Sequence, residues 1–312
     1  MIDKLEMLIA LERERHFGRA AEACHVTQPT LSSAIKALEE HFGAQLVHRG
    51  SRYIGLTPEG ERVLARARVI VAEARAIQTD LDQARSGLSG WLRLGVIPTA
   101  MATVHGYTGP FLAQNPGLRL HLRSMTSQDI VTSLFDFDLD AGFSYSAEDL
   151  DLTLPPGMES LPLYRERYAL VRAAAGGPYP PRVGWGDLAG MRLCLLTRDM
   201  QNRKIIDRLM TRAGLLPDPV IEANSIVALV GHVRAGGAAA GLATILPVRA
   251  AAEFTRAPGL VATPIEGDDG ALRMPQFALI LPVEGRRSLL LERFVASVVA
   301  IGRANQATEQ SI

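Results

Sequence analysis

The sequence predicts an α+β multidomain chain: an N-terminal helix-turn-helix head, a long linker helix, and a two-lobed α/β domain. Three observations carry this. A helix-turn-helix pattern runs from Gly18 to Gly43. Apolar residues then recur every three or four positions from Val63 to Leu88. Beyond Trp91 strand-like and helix-like stretches alternate to the end of the chain. A length of 312 residues suits two or three domains.

Residues 1–15 read as an amphipathic helix with Leu5, Leu8 and Ile9 on its apolar side. In GRAAEACHVTQPTLSSAIKALEEHFG, Ala20, Ala21 and Ala23 make a short helix with small packing residues, and Val26 plugs the bend. Thr27 is an N-cap and Pro29 sits in the first turn, where its missing N–H costs nothing. Leu31, Ile35, Leu38 and Phe42 form the buried stripe. Gln28, Pro29, Thr30, Ser32, Ser33 and Lys36 are left on the other side or at the helix start. Their amide, hydroxyl and ammonium groups suit major-groove base edges and phosphates. The same spacing also suits an ordinary helical hairpin with a solvated face. Residues 45–57 are short and β-like, with Gly50 and Gly55 as turns and Arg49 and Arg52 placed to meet phosphate or a minor groove.

Thr57-Pro58-Glu59 starts the next helix with a cap, a proline at N1 and acidic residues in the first turn, and Gly87 and Gly90 stop it near Ser86. Val63, Ala67, Ile70, Ala74, Ile77, Leu81, Ala84 and Leu88 form a heptad seam, which predicts self-association through this helix.

From Trp91 the elements are a strand (Trp91–Ile97), a helix from Pro98 to about Gln114, a strand (Leu118–Met125), a helix capped by Ser127, and a strand (Leu139–Phe143). Leu161–Ala174 reads as one long strand. A strand at Arg192–Leu196, a helix at Met200–Ala213, a strand at Val220–Ala223, a helix from Ser225 to Ala235 and a strand at Ala238–Leu242 follow. Strands at Leu260–Pro264 and Arg273–Leu281 and a helix at Arg286–Ile301 complete the domain. This rhythm predicts parallel sheets with helices on both faces, folded as two lobes with a cleft between them, as in periplasmic binding proteins. Helix starts at the carboxyl ends of strands are where open α/β sheets bind ligands, and their free N–H groups favour anions. Thr99, Ala100, Ser127, Gln201, Asn202 and Ser225 occupy such places, although each alone also reads as a simple cap or turn residue.

Composition narrows the function. Apolar residues make up 47% of the chain and charged ones 21%, and no apolar run reaches membrane-spanning length. The charged residues of the N-terminus do not form a secretory signal pattern. Net charge is zero, and residues 1–90 balance at 12 Lys/Arg against 12 Asp/Glu. A nucleic-acid-binding head this neutral would rely on several subunits sharing a long site. Cys24 and Cys194, far apart, imply a reducing compartment without a disulfide framework. No nucleophile elbow, phosphate loop or HExxH motif is present, so neither a catalytic role nor a metal is expected. Arg198, Arg203 and Lys204 read as added charge near the cleft or as solvated helix surface.

The pieces RAAEACHVTQPTLSSAIKALEEHFG, LVHRGSR and LTPEGERVL together resemble the winged helix-turn-helix of LysR-type transcriptional regulators, with Val47 where an aromatic is usual. The resemblance implies a winged head (1–58), a linker and dimerisation helix (59–90), and a periplasmic-binding-protein-like effector domain (91–303). Lobe I of that domain comprises 91–164 and 268–303, lobe II comprises 165–267, and 304–312 is read as a disordered tail. It places Thr99, Ser127, Asn202 and Ser225 in the effector cleft. It also implies a cytoplasmic bacterial regulator that binds double-stranded promoter DNA, a small and anionic metabolite, RNA polymerase, and itself as homodimer or dimer of dimers, with no cofactor. A solute-binding protein and an α/β enzyme are the rival readings, set against the N-terminal helix-turn-helix and the missing catalytic set. The run LCLLTRDMQNRKIIDRL, with LPLYRERY before it, is similar to LysR-type regulators of formate dehydrogenase operons.

Overall fold

The computed structural model describes all residues except 49–52, 87, 151–152, 175–177, 267–273, 286 and 310–312. The chain divides into two compact units, Met1–Gly87 and Leu88–Ile312.

In the first unit, α1 (Ile2–Glu14), α2 (Phe17–Ala23) and α3 (Gln28–Phe42) enclose a core of Leu5, Leu8, Leu11, Ala20, Leu31, Ile35 and Leu38. The α2–α3 turn passes through His25 at φ 55°, a left-handed conformation uncommon for a residue with a Cβ. Thr27 caps α3, accepting from the Thr30 N–H at 3.4 Å, and Pro29 lies in the first turn. Phe42 departs from the expected stripe: it is exposed, because the helix end passes beyond the core. The wing closes at its base by an antiparallel bridge between Val47 and Leu56. The Glu39 carboxylate fixes this base to α3 by accepting from Leu46 and Val47 N–H groups at 2.9 and 3.3 Å.

Helix α4 (Pro58–Ser86) begins as expected, with the Thr57 hydroxyl accepting from Gly60 N–H at 3.0 Å. Gly60 is required: a Cβ there would collide with the Leu46 backbone, so only glycine lets the helix start against the wing.

The second unit has two mixed sheets. The first runs β2-β1-β3-β11-β4, from β1 (Ser89–Val96), β2 (Gly117–Ser124), β3 (Ala141–Tyr145), β4 (Met158–Arg165) and β11 (Gln276–Pro282). The second runs β6-β10-β5-β9-β7-β8, from β5 (Tyr168–Ala173), β6 (Val183–Gly184), β7 (Arg192–Leu196), β8 (Ile221–Ala223), β9 (Leu242–Pro247) and β10 (Leu260–Glu266). Helices α5 (His105–Gln114), α6 (Ser127–Phe135), α7 (Gln201–Arg212), α8 (Ile226–Ala240), α9 (Val248–Thr255) and α10 (Leu289–Glu309) cover them.

Several expectations are corrected. The sheets are parallel only at β2-β1-β3, β9-β7-β8 and β10-β6; β4, β5, β10 and β11 carry antiparallel pairings, because the chain passes between the lobes in both directions. The single strand expected at Leu161–Ala174 is two strands, one per sheet, broken at Glu166-Arg167 where the chain changes lobes. The expected helix after Pro98 is a short 3-10 turn, Pro98–Ala100, ahead of α5. Helix α8 continues through the Gly-rich run to a left-handed Gly241, so Ala238–Leu242 is not a strand: alanines favour helix, and Gly236 lets α8 close on Leu242. β6 and α9 have no counterpart in the sequence reading. Helix α10 runs to Glu309, past Gly302 and into the stretch read as a disordered tail, because Ala, Gln and Glu sustain it.

Candidate functional site

The first candidate is the exposed face of α3. Gln28, Pro29, Thr30, Ser32, Ser33 and Lys36 are all exposed there, while Leu31, Ala34, Ile35 and Leu38 are buried beneath. The Thr30 hydroxyl pairs with that of Thr27 at 2.8 Å, and Lys36 lies 3.7 Å from Glu40, a surface pair too weak to withhold the ammonium from a phosphate. The face therefore presents one amide, several hydroxyls and one cation. Arg49 and Arg52 lie outside the described residues.

The linker seam divides into two parts. Leu64, Ala67 and Val71 are buried in the core of the first unit, and Val63 packs against it. Ala67, at 1% exposure, is therefore a core residue and not a seam residue: the first turns of α4 lie on α1. Ala74 is half-buried. Ile70, Ile77 and Leu81 remain exposed, at 48%, 61% and 55%. The side chain of Ala84 lies outside the described set.

The second candidate lies between the lobes, at the carboxyl ends of the parallel strands. Glycines position lobe I. A Cβ at Gly142 or Gly95 would run into Ile130 of α6, so α6 seats directly on β3 and β1. That seating brings Ser127 to Ser144 of β3, whose hydroxyl donates to the Ser127 oxygen at 2.9 Å in a buried contact. Thr126, not Ser127, is the N-cap of α6, accepting from Asp129 N–H at 3.1 Å. Ser127 is thereby freed to face inward from the first turn. Thr99 follows β1 in the 3-10 turn, 2% exposed, and its hydroxyl has no hydrogen-bond partner among the described residues. Buried polar groups in native proteins are rarely left so. The Ala100 N–H is committed to Ile97 O at 2.9 Å, which removes it from the expected ligand donors. Ala102, three residues beyond Thr99, packs against the lobe II cluster that contains Leu196, Met200 and Ile226.

In lobe II the expected residues do different work. Gln201 donates from Nε2 to Asp149 O at 2.7 Å, and Asn202 donates from Nδ2 to the Tyr145 hydroxyl at 2.8 Å. Both are buried and spend their amides tying α7 to lobe I. Arg203 is fully buried, holding Leu196 O, Asp207 and Glu222; it is a structural cation and not cleft charge. Ser225 begins α8 half-buried without a capping bond from its side chain. Thr197, just past β7, has a buried hydroxyl with no partner among the described residues. Sequence reasoning passed over it, although a hydroxyl one residue beyond an apolar strand was the available signal.

The inter-lobe bonds continue inward. Tyr145 donates to the Glu166 carboxylate at 2.8 Å. Glu166 sits at the lobe crossing, 3% exposed, and burial pushes its carboxyl up to about 7, against the lowering effect of Tyr145, Arg249 and Tyr164. Tyr145 and Tyr168 are raised by burial and then by Glu166. This network was hidden because Glu166 read as one residue of a single strand.

Among the described residues no group of three or more His, Cys, Asp and Glu is placed to hold a metal, and no helix is long and apolar enough to cross a membrane.

Residues 2–61 match the bacterial regulatory helix-turn-helix protein, lysR family, and residues 85–301 match the LysR substrate binding domain. The chain is 30% identical over 266 residues to the DNA-binding transcriptional dual regulator OxyR of Escherichia coli K12, covering 84% of each protein. Full-length OxyR C199D from Pseudomonas aeruginosa superposes at a TM-score of 0.70 with 24% identity, over 97% of this chain and 94% of that one. Full-length CbnR in complex with its target DNA superposes at 0.63 with 23% identity, over 96% and 99%.

Proposed function

This chain belongs to the LysR family of DNA-binding transcriptional regulators, and on that premise we propose that a small anionic metabolite held between its two lobes sets its activity at a promoter. It regulates transcription and is not an enzyme. The observation that supports the ligand reading is the buried, unpartnered Thr99 hydroxyl at the carboxyl end of β1. Thr197 offers a second such group, and Ser127 and Ser225 stand at helix starts whose N–H groups favour an anion. Gln201 and Asn202 act as the latch between lobes. A ligand that touches both lobes favours one closure state, which is all a ligand contributes to a switch.

A relative from Escherichia coli O6:H1, also 30% identical over 266 residues, is a hydrogen peroxide-inducible genes activator. Peroxide oxidises thiolates, and burial raises the thiol pKa of both Cys24 and Cys194 here, with Cys194 wholly buried. The two also belong to different compact units. These features support a bound ligand over thiol oxidation as the signal. Placement among regulators of formate dehydrogenase operons rests on the runs at residues 161–168 and 193–209. Action in the cytoplasm with RNA polymerase, as a dimer or dimer of dimers, completes the reading.

DNA recognition is tested on operator fragments recovered by sequencing what the protein retains from its own genome. Gln28→Ala is expected to weaken specific binding by about 1–3 kcal/mol, the worth of a good base contact, while leaving the salt dependence unchanged. Operator titrations identical to those of the unsubstituted protein would move the reading face off α3.

A further inference from the structure

Glu166 stands where the chain passes between the lobes in both directions. Its own N–H donates to Pro275 O at 2.8 Å, which ties the first crossing to the segment that returns to β11. Arg167, the next residue, accepts from Val248 N–H at the start of α9, also at 2.8 Å. The Glu166 carboxylate ends a chain of side-chain bonds across the junction. It accepts from the Tyr145 hydroxyl of lobe I, whose oxygen accepts from Asn202 of lobe II, and Asn202 also reaches the Tyr168 hydroxyl at 3.4 Å. The ionisable groups that face Glu166 are Tyr145 on β3, Tyr164 on β4, Tyr168 on β5 and Arg249 on α9. Arg165 and Arg167 flank it in the chain. Asp149 and Arg208 act one step away, on Tyr168. Glu166 is 3% exposed, so its charge is almost cut off from water. That burial disfavours the charged form and raises the carboxyl from 4.5 to about 7, although Tyr145, Arg249 and Tyr164 pull it down.

We propose that Glu166 makes the junction a proton-controlled latch, taking up a proton as the lobes join and releasing it as they part. This rests on the movement between lobes that the ligand reading requires. Parting breaks the Asn202 bond and admits water to the carboxylate, so the cost of its charge is relieved in the parted state. Protonation leaves an oxygen to accept from Tyr145, so the bonds to Asn202 survive it. The sign follows from the raised value. A carboxyl that holds its proton more tightly in the joined state favours joining at low pH, and that preference is lost as pH climbs through about 7. Between pH 6 and pH 8 the equilibrium for parting is expected to rise about tenfold. A ligand that favours the joined state and the proton on Glu166 therefore strengthen one another.

The test is amide hydrogen exchange of the full chain at pH 6 and pH 8, with Glu166→Gln measured beside it so that intrinsic exchange rates cancel. The junction is read at residues 146–149 and 201–206, and the sheet cores at β1 and β9. At the junction the unsubstituted protein is expected to exchange faster than the variant, by a factor that grows about tenfold from pH 6 to pH 8. The unsubstituted protein also suffices alone: its junction protection, corrected for intrinsic rates, is expected to fall about tenfold over the same interval. The proposal is overturned if that corrected protection is flat with pH, or if the ratio to Glu166→Gln is the same at both. It is equally overturned if β1 and β9 respond while the junction does not, since Glu166 would then affect global stability alone. No ligand is added, so a failure of the Thr99 reading leaves this measurement unaffected and the two are separable.

Discussion

Glu166 shows how much one residue takes from its surroundings. In the chain it is a glutamate between two arginines; in the fold it is buried at the crossing between lobes, with its carboxyl raised from 4.5 to about 7. A carboxyl raised on folding contributes stability that is fully present below the unfolded value and is lost as pH climbs through the folded one. The window here runs from about pH 4.5 to about 7. Glu166→Gln removes the titration and keeps an acceptor for Tyr145. Its unfolding free energy is therefore expected to gain on the unsubstituted protein across that window, by up to about 3 kcal/mol. Denaturant titrations at pH 5 and pH 8 measure this, and parallel pH profiles would show that Glu166 is charged throughout.

At the scale of the element, α4 has one buried and one exposed set of apolar residues. Leu64, Ala67 and Val71 face the first unit's core, and Ile70, Ile77 and Leu81 are exposed. A single periodic seam in the sequence is therefore divided between a buried part and an exposed part. We propose that the exposed residues pack on another helix, which apolar spacing of this kind suits. Ile77→Asp places a charge in that contact and leaves the chain's own core untouched, so the dimer dissociation constant is expected to rise at least about tenfold. Sedimentation across a concentration series reads the change; an unaltered assembly would place the subunit contact elsewhere.

At the scale of the whole molecule, the two sheets of the second unit are joined by two crossings and by the Gln201 and Asn202 bonds. The groups proposed to hold the ligand, Thr99 and Ser127, stand on one side of that junction, and Thr197 and Ser225 on the other. Thr99→Val keeps the side chain's shape and removes its hydroxyl. Effector affinity is expected to fall about tenfold or more, the value of one bond to a charged ligand, with operator binding in the absence of effector unchanged. The measurement pairs calorimetry on candidate carboxylates with operator titrations. Loss of operator binding in the ligand-free variant would make Thr99 a structural residue of the 3-10 turn.

The sequence by itself determined the head, the start of the linker and the ends of the parallel strands. Caps, turns and apolar periodicity are local: Thr27, Thr57 and the row Leu31, Ile35, Leu38 need only their neighbours to declare themselves. So did the positions of Thr99 and Ser127, because they follow strands legible on their own. Tertiary structure decided what depends on residues far apart in the chain. The strand read as continuous through Leu161–Ala174 divides because its halves pair with β11 in one lobe and with β9 and β10 in the other. Gln201 and Asn202 read as free groups at a helix start, yet they are spent on Asp149 and Tyr145, about fifty residues earlier, a pairing no local pattern encodes. Ala67 left the seam, and Arg203 the surface, for the same reason: burial is set by what packs on a residue, and hydrophobic spacing states only that something must.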